Sequence, residues 1–138
     1  MPERIKLEVV TPERVVLDAF VDRVEVPGLD GELGILPGHT ELVSRLKPAG
    51  LLTYHEGDST GRMAISDGFV EVGPERVTVL AAKASRPEDI DLAKALQLKQ
   101  QAEQRLQKAL GDPDADVSRV LVEVERASVE VMLAERHD

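Results

Sequence analysis

Nine of the ten glycines fall within residues 1–86, and Gly111 is the only one beyond them. Six of the eight prolines also precede residue 87. Glycine admits backbone conformations that other residues avoid, and proline removes a hydrogen-bond donor, so both punctuate regular structure. A chain punctuated so densely at first and so sparsely later is built in two styles. The change places a boundary near Ser85–Pro87, with one domain over 1–86 and a second over 87–138.

The first domain reads as strands. Ile5, Leu7 and Val9 alternate with Lys6 and Glu8, the period-two pattern of a half-buried strand. Thr11-Pro12-Glu13 turns the chain, and apolar runs follow at 15–17 and 21–26, the latter stopped by Pro27-Gly28. Further runs occupy 51–54, 62–65, 69–72 and 77–80, separated by Glu56-Gly57-Asp58, Asp67-Gly68 and Gly73-Pro74. Many short strands with regular turn signals and no intervening helix predict a β-sandwich or barrel rather than a parallel βαβ sheet.

The second domain reads as helices. Ser85-Arg86-Pro87-Glu88 fits a capping box. Leu92, Ala95, Leu96, Ala102, Leu106, Ala109 and Leu110 then form a stripe at helical spacing, with Gly111 as C-cap and Asp112-Pro113-Asp114 as connector. Val117, Val120, Leu121, Val124, Val131 and Met132 form a second stripe around Ser128. Six valines there lower helix propensity by roughly 0.5 kcal/mol each relative to alanine. A strand pair is the competing reading. Helix is preferred because the spacing runs for more than four turns with no turn residue inside. Two amphipathic helices on a short loop predict an antiparallel hairpin. The class is therefore α+β, and the hairpin, on a short polar link, is the part expected to move.

The chain carries 17 basic and 26 acidic residues, a net charge of −9, which argues against nucleic acid as a partner. It has no cysteine, hence no disulfide, thiolate nucleophile or Cys-ligated metal. The histidines, His39, His55 and His137, lack metal-ligand spacing, so no metal site is expected. Apolar runs are too short to span a membrane, and the N-terminus MPERIKLEVV has no export or transit pattern, so a soluble cytoplasmic chain is expected. Carboxylates are plentiful, but no nucleophile–base–orienter set emerges, and no catalytic residue is assigned. Glu88, Asp89 and Asp91 suit a helix N-terminus.

The most distinctive stretch is GELGILPGH, residues 31–39. It lacks the Gly-Lys-Ser/Thr ending of a phosphate loop, and no helix pattern follows it. Gly31 and Gly34 permit tight connections and Pro37-Gly38 makes a turn. Leu33, Ile35 and Leu36 in so turn-rich a segment either fill the core or dock a partner, and composition does not choose between them. His39 either bonds within the loop or contacts a partner.

GELGILPGH, with VEVPG before it at 24–28, SDGFVEV at 66–72, VTVLA at 77–81, the Thr11-Pro12 turn and PEDIDLAKA at 87–95, resembles the epsilon subunit of the F-type ATP synthase in order, spacing and length. The resemblance covers essentially the whole chain. It implies an N-terminal β-sandwich of about ten strands followed by two helices. It further implies a rotor subunit of the central stalk, without catalysis of its own. The sandwich would grip the gamma subunit and rest on the c-ring, and the helices would lie folded or reach toward the alpha/beta hexamer and oppose ATP hydrolysis. The expected place is the cytoplasmic face of a bacterial plasma membrane, indirectly through the complex. By resemblance, Gly31, Glu32, Leu33 and His39 belong to the c-ring/gamma interface, with Glu32 the acidic contact.

Two departures from the family qualify this. Some members bind ATP through an I/L-D-x-x-R-A motif, which here reads Ile90-Asp91-Leu92-Ala93-Lys94-Ala95. Lysine in place of arginine leaves a point charge where a bidentate fork would hold phosphate. Gln101 and Glu130 stand where such members carry arginines, while Arg119 and Arg126 are in place, so at most weak nucleotide binding is expected. Basic side chains of the extended helices would meet an acidic beta-subunit segment, through Lys94, Lys99, Arg105, Arg119 and Arg126. The second helix, however, is acidic overall, which weakens such docking. A free-standing nucleotide sensor is the alternative of a different class, and a shift of melting temperature with ATP alone would reveal it.

Overall fold

A computed structural model describes residues 4–136; His137 lies outside the described residues. Over the described residues the chain runs through eight strands, a 3-10 turn and two helices. The strands are β1 (Ile5–Val10), β2 (Val15–Val21), β3 (Arg23–Gly28), β4 (Gly31–Ile35), β5 (Leu42–Arg45), β6 (Gly50–Glu56), β7 (Ser59–Val72) and β8 (Arg76–Ser85). A 3-10 turn over Pro87–Asp89 leads to α1 (Leu92–Leu110) and α2 (Val117–Arg136).

The strands are hydrogen-bonded in the order β2-β1-β8-β7-β6-β3-β4, and β5 pairs with β7 off this path. All pairings are antiparallel except β1 with β8. This sheet closes over one core, which draws Ile5, Leu7 and Val9 from β1, Val24 and Val26 from β3, Leu52 from β6, Met63, Ile65, Val70 and Val72 from β7, and Val77 and Val79 from β8. Each such side chain taken fully from water contributes roughly 1.5–3 kcal/mol. No helical residue belongs to that cluster.

Eight strands stand where the resemblance implied about ten. One reason is Asp67-Gly68, expected to separate two strands. Instead β7 runs through it for 14 residues. Asp67 at φ 50° and Gly68 at φ 130° rotate the strand, and the buried side switches from Met63 and Ile65 to Val70 and Val72. β8 makes the matching switch, from Val77, Val79 and Ala81 to the partly buried Ala84, so the β7–β8 register is kept on both sides. In this way two long strands serve both layers of the sandwich. Conversely, β4 and β5 are strands the sequence pattern did not show. The expected breaks at Thr11-Pro12 and Gly73-Pro74 do separate strands.

The hairpin packs in order: α1 on α2, and α2 on β7 and β6. Along α1 only Ala95, Ala102 and Ala109 are buried, seven residues apart, while Leu92, Leu96 and Leu110 of the expected stripe are exposed. Small side chains let the helices approach closely, and the leucines are pushed to the flanks. α2 has neighbours on two sides, and its residues are partly buried around most of its circumference from Val122 to Met132. That double contact accounts for a valine-rich helix, because packing overrides propensity.

The expected capping box at Ser85–Glu88 is not formed. Ser85 is the last residue of β8, paired with Ala64. Arg86 precedes the 3-10 turn without a side-chain cap. The cap of α1 is Asp91, whose carboxylate accepts from the Lys94 N–H at 3.2 Å. Gly111 ends α1 as expected, at a φ of −93° rather than in the left-handed region.

Candidate functional site

GELGILPGH forms an edge of the sheet. β4 pairs only with β3, in the register Val24↔Ile35, Val26↔Leu33 and Pro27↔Glu32, and a two-residue turn at Leu29-Asp30 joins them. Gly31, at φ 141°, closes that turn. Alternation then decides the faces. Ile35 is buried and Leu33 packs against the core, which sends Glu32 and Gly34 outward. Of the two roles left open, core filling holds for Leu33 and Ile35, which anchor the strand, while Leu36, like Leu29 before the strand, is exposed. The Leu29 N–H donates to the Arg45 carbonyl at 2.9 Å, and the Lys47 N–H to the Pro27 carbonyl at 2.9 Å, fixing the hairpin to the end of β5 and the segment after it.

His39 is elsewhere. Gly38 donates to Pro74 at 2.8 Å, which ties this turn to the β7–β8 connection at the other end of β4. His39 Nδ1 lies 2.7 Å from the Thr40 carbonyl oxygen, a bond within the loop. The structure therefore joins Gly31, Glu32 and Leu33 on one edge and sets His39 apart by the length of the strand, on the order of 15 Å.

The nucleotide-binding candidates are also divided. Asp91 and Lys94 lie at the start of α1 and Arg119 in the first turn of α2. In an antiparallel hairpin these are opposite ends, separated by a helix of about 28 Å. The Asp91 side chain is used as a cap, and Ile90 is partly buried in the approach to it. Arg119 is exposed, its N–H bonded to the Asp116 carboxylate at 3.2 Å. Arg126 faces the sandwich, bonded to the Asp67 carboxylate and, through Nε, to the Pro48 carbonyl at 3.1 Å. Among the other basic residues, Lys94 is exposed and Lys99 partly buried, while Arg105 bridges the helices to Glu123 at 2.9 Å. Glu130 pairs with Lys83 of β8 at 2.9 Å.

Two groupings were not legible beforehand. His55 Nε2 lies 3.0 Å from the Glu25 carboxylate, and its Nδ1 lies 3.4 Å from Thr60 Oγ1. The order Thr–His–Glu superficially matches a nucleophile, base and orienter. Its origin is the ladder, in which His55 lies directly opposite Thr60 and next to the strand carrying Glu25. The second grouping is a cleft of about 340 Å³ where the linker and the end of α2 meet the sandwich, lined by Tyr54, Arg62, Arg86, Glu88, Leu133 and Arg136 among others. Arg86 there donates to the Val16 carbonyl from Nε at 3.1 Å and Nη2 at 2.7 Å, and so fastens the linker to β2. None of Ile90, Asp91, Lys94, Arg119 or Arg126 lines the cleft.

A sandwich with its own core and a helical pair held on it by ion pairs make a chain in two parts. Family models agree with both parts. The ATP synthase delta/epsilon chain beta-sandwich domain matches residues 4–87, and the long alpha-helix domain of the same chain matches 88–131. The chain belongs to the ATP synthase delta/epsilon chain family. It is 42% identical over 135 residues to the ATP synthase epsilon chain of Desulforamulus reducens, covering 98% of this chain and all of that one. It is 49% identical over 108 residues to that of Desulforudis audaxviator, covering 78% and 77%. Among solved structures it resembles a chain in the cryo-EM structure of the Euglena gracilis mitochondrial ATP synthase, comprising OSCP, F1 and the c-ring. There the TM-score is 0.79 and the identity 26%, over 99% of this chain and 84% of that one.

Proposed function

We propose that the chain is a non-catalytic rotor subunit of an F-type ATP synthase, linking the gamma subunit to the c-ring in the central stalk. It would work at the cytoplasmic face of a bacterial plasma membrane, held there by the complex. The observation that carries this reading is the division of labour in the fold. The sandwich closes its core without the helices, and its β3–β4 edge presents Glu32 outward on a strand pinned by Leu33 and Ile35. A contact that transmits torque needs such a rigid platform. Gly31, Glu32 and Leu33 form the c-ring contact, and His39, at the other end of β4, serves a separate part of the interface.

The hairpin is the regulatory part. Its basic residues Lys94, Lys99, Arg105, Arg119 and Arg126 would meet an acidic beta-subunit segment when the helices extend toward the alpha/beta hexamer. Two of them are engaged when the hairpin is folded: Arg105 with Glu123 and Arg126 with Asp67. Extension must therefore exchange these partners. ATP binding is weak at most in this reading, since Asp91 and Lys94 lie a helix length from Arg119.

The test is ATP hydrolysis by a reconstituted alpha-beta-gamma complex, with the full chain or a chain ending at Arg86. Both should bind gamma, and only the full chain should slow turnover. Failure of both to bind gamma would overturn the assignment. Binding by both with inhibition by neither would remove the regulatory role and leave the coupling role.

A further inference from the structure

The contact between α2 and the sandwich carries two ion pairs of opposite polarity. Arg126 of the helix meets Asp67 of β7, and Glu130 of the helix meets Lys83 of β8 at 2.9 Å. Arg126 and Glu130 are four residues apart, one turn along the same helix face. Asp67 and Lys83 are neighbours on adjacent strands, since Lys83 pairs with Ser66. Each surface thus offers one positive and one negative group, in crossed order. Sliding α2 by one turn along this face would bring like charges together, so the pattern specifies one seat for the helix as well as holding it there.

The Asp67 anchor on the sandwich is fixed in place. It has a left-handed φ of 50°, and its N–H donates to the Lys47 carbonyl at 3.1 Å. The strand rotation that lets β7 serve both layers is therefore also what presents this carboxylate to the helix. The Arg126 guanidinium is held at a second point by Pro48. The Glu130 side chain is only 16% exposed, so without Lys83 its carboxylate would lie unpaired in a poorly solvated place.

We infer that Asp67 and Lys83 are positioning residues that seat the regulatory hairpin, through a crossed-charge latch with Arg126 and Glu130. The consequence for inhibition rests on the proposed function. The latch itself is a property of the free chain, and it can be tested there. Because the chain has no cysteine, spin labels can be placed at Asp58→Cys on the sandwich and Gln104→Cys on α1, both exposed. Their distance distribution reports docked and undocked hairpins. Lys83→Glu, or Glu130→Lys, should raise the undocked-to-docked ratio by about fivefold, and Arg126→Gln by about tenfold. The double variant Lys83→Glu with Glu130→Lys should return the ratio close to that of the parent. In the parent, 1 M salt should favour undocking, because screening then acts over about 3 Å.

Amide exchange of β1 checks that the sandwich stays folded in each variant. Unchanged distances in the single variants, or failure of the double swap to restore docking while β1 stays protected, would refute the latch. Loss of gamma binding with an intact latch would refute the function and not this inference.

Discussion

Gly68→Ala adds one methyl group at the point where β7 rotates. At φ 130° an alanine is strained by itself, at a cost on the order of 1–3 kcal/mol. The added Cβ would overlap the Leu80 carbonyl oxygen, and it would come within 2.9 Å of the Leu80 carbonyl carbon and 3.0 Å of Ala81 Cα. These are backbone atoms of β8 and cannot rotate away. The strands must part locally, loosening the Gly68↔Ala81 pairing and the 2.9 Å bond from Leu46 N–H to the Gly68 carbonyl. Hydrogen bonds of this kind are worth about 1 kcal/mol each. Together these terms give about 3–5 kcal/mol, a large share of the roughly 5–15 kcal/mol by which a domain is stable. Urea unfolding measures it, with a midpoint lowered by at least about 1 M at an unchanged slope. Gly34→Ala is the control, because no atom lies within 4 Å of its added Cβ and its φ is not left-handed. It should fall within about 0.5 kcal/mol of the parent. If Gly68→Ala unfolds alongside Gly34→Ala, the account of β7 as one strand bent between two layers is wrong.

Asp91→Ala should cost α1 about 1 kcal/mol and speed amide exchange in its first turn, whereas Ser85→Ala should leave that turn unchanged. The reverse result would restore the capping box. Ala102→Leu forces a branched side chain into the seam between the helices, at a residue 1% exposed, and should destabilise the hairpin by about 1–3 kcal/mol. Amide exchange of α1 and α2 against that of β1 checks it, with the sandwich expected to keep its protection.

What could be read in advance was whatever depends on local periodicity. Alternation in Ile5–Val9 and helical spacing after Leu92 survive any tertiary arrangement, so β1 and the hairpin were legible. Asp67-Gly68 was not, because the same dipeptide can end a strand or rotate one, and only pairing with β8 on both sides decides. The leucines of α1 misled for a related reason. A stripe says which face is apolar, but the width of the seam selects the side chains that enter it, and Ala95, Ala102 and Ala109 do. GELGILPGH looked like a loop because its glycines suit turns, yet Gly34 is an ordinary edge-strand residue, and β3 supplies the partner that makes it so. The charge pattern shows the limit most clearly. Arg126 and Glu130 could be assigned to one helix face from spacing, but their partners Asp67 and Lys83 are 59 and 47 residues away in the chain. Helix two looked poorly suited to an acidic partner because its charges were summed. Docking pairs one cation, Arg126, and one anion, Glu130, with the sandwich, so the sum stays acidic in either state, and what changes is whether Arg126 is free to meet a partner. Which side chains an acidic beta-subunit segment would meet is therefore set by whether the latch is open, and composition alone cannot express that.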